Sequence, residues 1–157
     1  MTAEYLAGLF DGEGCVTMRS PKTLHDGRPK IVVKLGVVGR EIPDMLREQF
    51  GGSITRQNGR GNQKALYGWR VIGRRAARFL SMIRPWCIIK SRAIEIGLSH
   101  LVLEMQPRAI RTHRGRVRSE IKQASERLMA DLRRVNMRGL GELNAREGDT
   151  DVHRQGP

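Results

Sequence analysis

The sequence predicts an α+β fold in which helices cover one face of a four-stranded antiparallel sheet. Two observations lead to this prediction. Apolar residues alternate in four short segments, as in half-buried strands, and recur every three or four residues in the segments between them, as in helices. Turn-rich stretches separate the strands within each of two pairs, as in β-hairpins. Strand pairs that alternate with helices in this order favour a layered α+β domain.

The first half of the predicted core consists of a helix, a hairpin and a second helix. Thr2 is a suitable N-cap for a helix over residues 3–11, which a glycine-rich turn ends. A strand over 15–20 follows. The second strand, over 31–38, is entirely apolar at its odd-numbered positions, which share one face. A glycine pair ends the next helix, over 41–50.

The second half repeats the order of strands and helices. Strands are predicted over 53–57 and 66–72, and a short helix over 74–83. A longer helix opens at Pro85 and ends near residue 105, because proline is tolerated in the first turn of a helix. Residues 1–105 therefore form the predicted core domain.

The C-terminal third differs in composition from the core. Residues 106–138 form a basic extension, and within it residues 117–135 place apolar side chains on one side of a helix. We expect this helix to dock on the core, with arginines that are either merely solvated or bound to phosphates beyond the sheet. Residues 139–157 are predicted to be a disordered tail.

The charge of the chain points to a polyanionic partner. The formal net charge is +13, from 29 Lys and Arg against 16 Asp and Glu. A charge of this size opposes compaction unless a polyanion neutralises it, and nucleic acid is the partner that fits. A membrane surface fits less well, because the basic residues are not gathered on one terminal helix with an apolar face.

The cysteines and the apolar runs indicate where the protein works. Cys15 and Cys87 lack a metal-ligand spacing, so we predict free thiols in a reducing compartment. The N-terminus lacks the pattern of a secretory signal, and the apolar runs are too short to span a bilayer. We expect an intracellular protein, in a bacterial or phage-infected cytoplasm or in an organelle, that is not secreted.

Residues 6–14 read LAGLFDGEG and give the first helix a second face to bury. Gly8 and Gly12 are four residues apart and share one side of the helix, with Ala7 beside them. Small residues on one side let another helix approach more closely than the usual ~8–10 Å between axes. The chain has one such segment, so the simplest partner is the same helix of a second copy.

These nine residues resemble the signature of the LAGLIDADG homing endonucleases. The order of predicted elements over residues 4–104 is also similar to the αββαββα fold of that family, whose antiparallel sheet forms a DNA-binding saddle. The resemblance implies a homodimeric endonuclease that makes a metal-dependent, staggered double-strand cut in a long, near-palindromic DNA site. The identical residues are Leu6, Ala7, Gly8, Leu9, Asp11 and Gly14.

The resemblance assigns metal binding to Glu13, assisted by the backbone carbonyl of Gly12. The chemistry of the residues agrees, because two Glu13 carboxylates that face each other across a two-fold axis repel unless a cation lies between them. Oxygen ligands of this kind suit Mg²⁺, with other divalent cations such as Mn²⁺ as substitutes. The competing interpretation is a solvated glutamate at a helix end.

Two further residues receive roles near the seam, the contact between the first helices of the two copies. Asp11 is predicted to be structural and to lie in the dimer interface, where its short carboxylate accepts backbone N–H groups at the paired helix ends. Lys90 lies in the segment RPWCIIKSR, which is similar to a family segment in which a functional lysine follows a proline by five residues. A lysine there stabilises developing charge or organises the attacking water. The competing interpretation is a surface lysine at a helix N-terminus.

Strand alternation predicts which side chains face DNA, since one face of the sheet packs on helices and a two-stranded ribbon can enter the major groove. Trp69 is predicted to point inward, although it could itself face the groove. Cations at the hairpin tips are predicted to contact phosphates. The predicted DNA-binding residues are Thr17, Arg19, Lys22, Arg28, Lys30, Val32, Lys34, Thr55, Gln57, Arg60, Lys64 and Arg70.

Two other functions compete with DNA cleavage. An RNA maturase that assists intron splicing is one, because some members of the family have that role. A DNA-binding regulator that does not cut is the other. The acidic residue at position 13 and Lys90 favour the endonuclease, because a regulator needs no carboxylate at the seam. The four histidines make no metal-ligand spacing and are predicted to be structural.

Overall fold

The computed structural model of the protein describes residues 1–19, 30–59, 64–105 and 119–148. They form the predicted α+β arrangement, in which helices pack against one face of a four-stranded sheet. The 3-10 turn Arg84–Trp86 precedes the fourth helix. The elements are α1 (Ala3–Glu13), β1 (Gly14–Arg19), β2 (Lys30–Val38), α2 (Glu41–Phe50), β3 (Ser53–Gln57), β4 (Leu66–Ile72), α3 (Arg74–Ile83), α4 (Ser91–Met105) and α5 (Ser119–Gly148).

The sheet has the strand order β1-β2-β4-β3, and all neighbouring strands are antiparallel. Residues directly opposite each other in such a sheet point to the same face. The face that packs on the helices is apolar and supplies much of the core, as the odd positions of β2 predict. Its buried members are Val16, Ile31, Val33, Leu35, Val37, Trp69 and Val71.

An aromatic cluster fixes α1 against this core. The ring of Phe79 makes edge-to-face contacts with Phe10, Phe50 and Trp69, at centroid distances of 5.4, 5.3 and 5.1 Å. The Trp69 indole N–H donates to the carbonyl of Gly51 at 2.9 Å, so Trp69 points inward, as predicted. Edge-to-face aromatic pairs contribute about 0.5–1.5 kcal/mol beyond area burial. The aromatic cluster therefore holds the motif helix by its Phe10 side.

The junction between α1 and β1 explains one glycine of the motif. A Cβ on Gly14 would overlap the ring of Phe10. Helix α1 runs two residues further than predicted, through Gly12, and β1 begins at once. The Thr2 side chain accepts from the Tyr5 N–H at 3.3 Å, which confirms the predicted N-cap. Glu13 is therefore the last residue of the helix, whereas the sequence predicted it just past the helix end.

The fourth helix does not open at Pro85, and that prediction was wrong. The proline lies in the 3-10 turn Arg84–Trp86, the chain is extended at Cys87, and α4 begins at Ser91. The backbone N–H groups of residues 88–90 donate to the Asp11 carboxylate of α1, so they do not form the hydrogen bonds of a helix that begins at Pro85. A proline that would suit a helix start instead precedes a break.

Helix α5 docks on the core, as its apolar pattern predicts. Leu132 is buried among the core residues, and Leu128 and Val135 pack against them. The Asn136 amide donates to the Val16 carbonyl at 3.0 Å, which places α5 beside β1, an edge strand of the sheet. The backbone of α5 continues to Gly148, past the boundary at 138 that the sequence predicts for the tail.

None of the helices in the described ranges combines the length and the apolar character that a membrane-spanning helix needs.

Candidate functional site

One side of helix α1 faces away from the core and is open. Gly8 and Gly12 are exposed, and a Cβ on either would meet no atom within 4 Å. Tyr5, one turn before Gly8, is also exposed. The opposite side carries the buried residues Leu6 and Phe10. Helix α1 therefore has a core side and a small-residue side that nothing in the described chain covers.

Ala7 does not belong to this open side. It was predicted at a dimer interface, but it is fully buried in the core of its own chain. Its carbonyl accepts a weak hydrogen bond from the Cys87 thiol at 3.7 Å. Ala7 is one position before Gly8, which turns it about 100° around the helix toward the segment that precedes α4. The side chain of Ala7 therefore offers no surface to a second copy of the chain.

The Asp11 carboxylate connects α1 to the start of α4. Its Oδ2 accepts the backbone N–H groups of Ile88 at 2.7 Å and Ile89 at 3.1 Å, and its Oδ1 accepts that of Lys90 at 2.9 Å. Asp11 was predicted to accept backbone N–H groups, and it does. The donors belong to its own chain and not to a partner helix, while a position of Asp11 in a dimer interface stays a prediction.

The Lys90 side chain returns to the same residue. Its Nζ donates to the Asp11 backbone carbonyl at 2.6 Å. The last four carbonyls of a helix have no partner within the helix, and a cation there also interacts favourably with the helix dipole. Lys90 is half-buried. The structure thus holds the ammonium group at the end of α1, two positions from Glu13. Lys90 also lies directly before the N-terminus of α4, as its competing interpretation has it, so a role for Lys90 in the chemistry stays a prediction.

Glu13 differs from Asp11 in having no partner among the described residues. Its side chain is exposed and forms no hydrogen bond or ion pair with the residues that the structure describes. An exposed carboxylate beside the terminal carbonyls of a helix, including that of Gly12, supplies oxygen donors of the kind that hard divalent cations take. Within the described ranges no group of three His, Cys, Asp or Glu side chains could hold a metal ion. Metal binding by Glu13 and the Gly12 carbonyl therefore stays a prediction.

Two titratable residues near the core are not chemical candidates. Burial, and then the negative charge of Asp11 and a hydrogen bond to it, raise the pKa of Cys87 to about 12. The thiol stays protonated at neutral pH and is inert as a nucleophile or ligand. Burial lowers the pKa of His100, so its ring is neutral at that pH. Both observations agree with packing roles.

The second face of the sheet contains the residues predicted to contact DNA. The register pairs Thr17 with Val32, Lys34 with Arg70, and Thr55 with Gly68. The predicted face is therefore confirmed as one continuous surface on four strands, while DNA binding by it stays a prediction. Among the described strand residues, this face has no acidic member. Its basic members are Arg19, Lys30, Lys34 and Arg70.

The structure adds details about individual residues that were predicted to contact DNA. Val32 lies on this face but is only 2% exposed, so its side chain offers no surface to a groove. Thr17 is half-buried, and its hydroxyl donates to the Val32 carbonyl at 3.4 Å. Lys64 is exposed just before β4. The remaining predicted tip residues lie outside the described residues; they are Lys22, Arg28 and Arg60.

Sequence reasoning missed two exposed apolar groups. Ile88 and Ile89 protrude from the segment that Asp11 holds, next to the open side of α1. Val38 and Leu66 are exposed on the second face of the sheet. The alternation of β2 places Val38 on the same face as Lys34, so the pattern contained this signal. The exposure of residues 88 and 89 had no such signal, because the segment was predicted to be helical.

No family model matches the sequence, and no curated protein matches it. The structure, however, is similar to solved homing endonucleases. The similarity to I-CvuI, solved in complex with a DNA target in the presence of Mg, has a TM-score of 0.65 at 13% identity and covers 85% of this chain and 80% of that one. For I-TnaI the TM-score is 0.54 at 18% identity, with 88% and 97% covered.

A longer structure matches over part of its length. The LAGLIDADG homing endonuclease I-GzeII, in complex with its DNA target, has a TM-score of 0.64 at 14% identity. The match covers 83% of this chain but only 44% of that chain. These similarities establish the fold: the chain adopts the LAGLIDADG homing-endonuclease fold, as residues 6–14 predicted.

Proposed function

We propose that the protein is a sequence-specific homing endonuclease, which makes a metal-dependent, staggered double-strand cut in a long, near-palindromic DNA site as a homodimer. One observation carries the proposal. The open side of α1, with Gly8 and Gly12, ends at an exposed carboxylate, Glu13, that has no partner in the described chain. A regulator that does not cut has no use for such a group in that position.

A second copy of the chain would complete the site. Two α1 helices packed through their Gly8 and Gly12 sides around a two-fold axis bring the two Glu13 residues together at the helix ends. The exposed side chains of Ile88 and Ile89 lie beside this contact and add apolar area to it. Support also comes from the longer I-GzeII, of which one copy of this fold matches 44%.

The acidic pair is where a divalent cation fits. Two carboxylates and the adjacent Gly12 carbonyls would supply oxygen ligands, and phosphate oxygens and water would supply the rest. A divalent cation bound there stabilises negative charge on phosphate oxygens and favours deprotonation of water. The role of the protein is to hold Glu13 at the end of a helix that Phe10 and Asp11 fix in place.

Lys90 would place a positive charge beside the reacting phosphate. Its Nζ is held at the Asp11 carbonyl, while its backbone N–H is bound to the Asp11 carboxylate. Both ends of the lysine are therefore fixed relative to Glu13. An ammonium group that is positioned in advance stabilises charge as it develops without reorganisation.

Replacing Lys90 with methionine is expected to slow cleavage strongly and to change DNA affinity little. Methionine keeps the length and removes the charge, and loss of one such contact costs on the order of 10²-fold in rate. Single-turnover cleavage and binding without cleavage are to be measured separately. Lys64→Met is the matched control, because Lys64 is exposed on the loop before β4 and is expected to affect affinity instead. An unchanged single-turnover rate in Lys90→Met would remove the lysine from the chemistry.

The four-stranded face would read the DNA. Strand ribbons fit the major groove, and the basic residues of this face meet a polyanion. The test of the whole function uses the DNA that flanks the gene. Such enzymes usually cut an uninterrupted copy of their own insertion junction, so the joined flanks are the substrate to incubate with protein in Mg²⁺ and in EDTA. Cutting in Mg²⁺ alone supports the proposal, and no cutting of that junction in either condition contradicts it.

RNA splicing assistance remains the second candidate, because it has been associated with the same fold and could coexist with cleavage. Its discriminating measurement is splicing of the precursor RNA with and without the protein. The exposed Glu13 carboxylate favours DNA cleavage, since RNA folding assistance needs no metal-binding pair.

The basic helix α5 is proposed to extend the DNA contact past the edge of the sheet. Asn136 touches β1, and the exposed Arg133 lies three residues earlier, on the same flank of the helix. Arg133→Gln is expected to flatten the salt dependence of log affinity by roughly 1.8, because each of the two copies loses one phosphate contact worth about 0.9. Arg134→Gln is the control, because Arg134 points elsewhere and is 3.5 Å from Asp131. Equal salt slopes for wild type and Arg133→Gln would show that this flank does not touch DNA.

A substitution tests α5 better than a truncation. Removing the chain after Met105 would also remove Leu132 from the core and uncover the edge of β1 at Val16. The folding effect of the deletion would then mask its effect on DNA affinity.

A further inference from the structure

The end of the second sheet face next to residues 58–65 has a chemistry unlike the rest of that face. Val38 is 61% exposed and Leu66 is 38% exposed, and the register places them directly opposite each other. Leu66 is also opposite Gln57 on β3. Val38, Leu66 and Gln57 therefore form a row across three strands that consists of two apolar side chains and an amide. The opposite end of this face carries the basic residues Arg19 and Lys30.

The apolar pair is not covered by neighbours on its own face. The next residues of that face along β2 and β4 are Gly36 and Gly68, which are opposite each other and have no side chains. A Cβ on Gly36 would lie 3.5 Å from a methyl group of Leu66, so Leu66 extends over the glycine row. The Thr55 hydroxyl donates to the Gly68 carbonyl and lies low over that row. Val38 and Leu66 thus form the raised apolar part of this surface.

The core does not explain these two side chains. Both point away from the core face that contains Val37 and Tyr67, the residues next to them in sequence. Exposed apolar residues on a face whose charged members are all basic fit a partner that is anionic overall and has an apolar group at the contact. The thymine methyl is the apolar group at the major-groove edge of DNA, and Gln pairs with the N6 and N7 atoms of adenine.

We infer that Val38, Leu66 and Gln57 form a reader of an A·T base pair in each half-site, in which the apolar pair contacts the thymine methyl and the Gln57 amide contacts adenine. The inference rests on the proposed function, because it requires the sheet to lie in the major groove. It adds that recognition at this end of the sheet is by methyl contact and amide bonding, whereas Lys34 and Arg70 form a charged row about 14 Å away, four residues along the strands.

The first test changes the DNA and leaves the protein intact. Each thymine of the target is replaced by deoxyuridine, which lacks only the methyl group, and wild-type affinity is measured without cleavage. We expect one thymine per half-site at which the loss of the methyl weakens binding about fourfold, the effect of one buried methylene-sized group. Replacement in both half-sites is expected to multiply to about fifteenfold.

The second test assigns the effect to residues. In Leu66→Ala and Val38→Ala, replacing the sensitive thymine with deoxyuridine is expected to weaken binding much less than in the wild type, toward no change at all. The loss of affinity at other thymine positions is expected to stay as in the wild type. Gln57→Ala is expected to reduce discrimination against G·C at the same base pair. Val102→Ala, which alters a 65% exposed valine on α4, is the control and is expected to keep the wild-type penalty.

The outcomes separate this inference from the proposed function. Specific cutting with equal affinity for thymine and deoxyuridine at every position overturns the reader and leaves the endonuclease intact. A penalty that persists in both alanine variants also overturns it, as does loss of affinity that is equal on both DNAs, which would point to a protein contact at this patch. Absence of any DNA binding overturns both.

Discussion

Glu13→Gln is expected to abolish Mg²⁺-dependent cleavage while DNA affinity stays within about twofold. Glutamine keeps the size of the side chain but has no charge, and a neutral amide is a poor ligand for a hard cation compared with a carboxylate. The substitution should not disturb the fold, because Glu13 is exposed and has no hydrogen-bond or ion-pair partner in the described chain. The loss is expected to be complete, since in a homodimer both members of the acidic pair change together.

The measurement compares cutting and binding on the same target DNA. Cleavage is followed under single-turnover conditions in Mg²⁺, and affinity is measured without divalent metal and again in Ca²⁺. Glu48→Gln is the matched control, because Glu48 is an exposed glutamate on α2, away from the seam, and should cut as the wild type does. Equal cleavage by wild type and Glu13→Gln would remove Glu13 from the site. Equal loss of binding and cleavage would indicate a structural role instead.

The fold was predictable where short sequence segments determine it. The bounds of β3, β4, α2 and α3 follow from alternation, periodicity and glycines, and the structure has them where the sequence predicts. The face of each strand was also predictable, because side chains alternate with a period of two and one face of β2 is wholly apolar. The nine residues of the motif predicted the fold that the comparisons established.

Contacts between distant parts of the chain were not predictable in the same way. The Asp11 carboxylate accepts hydrogen bonds from backbone N–H groups that lie 77 to 79 positions later in the sequence. This contact explains both the break before α4 and the position of Lys90. Nothing local in the segment after Pro85 shows that its N–H groups are taken by another helix. The burial of Val32 is of the same kind, since alternation determines the face of a side chain but not how closely its neighbours pack.

Gly8→Leu is expected to abolish the dimer and, with it, cleavage, while the single chain becomes more stable. A leucine on each of two facing helices would force their axes apart at the contact, which small residues otherwise keep close. Within its own chain the first atom of the new side chain causes no clash, because a Cβ on Gly8 would have no neighbour within 4 Å among the described residues outside its own helix. Glycine is about 1 kcal/mol less favourable than alanine inside a helix, and leucine is nearly as favourable as alanine.

The opposite signs make this substitution a sharp test, because a mutation that merely damages the fold lowers stability as well as activity. The oligomeric state is measured by light scattering, alone and with target DNA. Thermal unfolding is measured over a range of protein concentrations. The Tm of a dimer rises with concentration, and this dependence is expected for the wild type and not for Gly8→Leu.

Two control variants bracket the result. Gly8→Ala adds a single methyl group and is expected to give an intermediate dimer affinity with the same gain in helix stability. Ser99→Leu places a leucine on an exposed position of α4 and is expected to leave the dimer unchanged. A wild-type protein that is monomeric both alone and on its target would contradict the two-fold site, and so would a Gly8→Leu protein that still dimerises and cuts. In either case Glu13 would lack its symmetric counterpart, and the metal would have to be held by one carboxylate with ligands from the DNA.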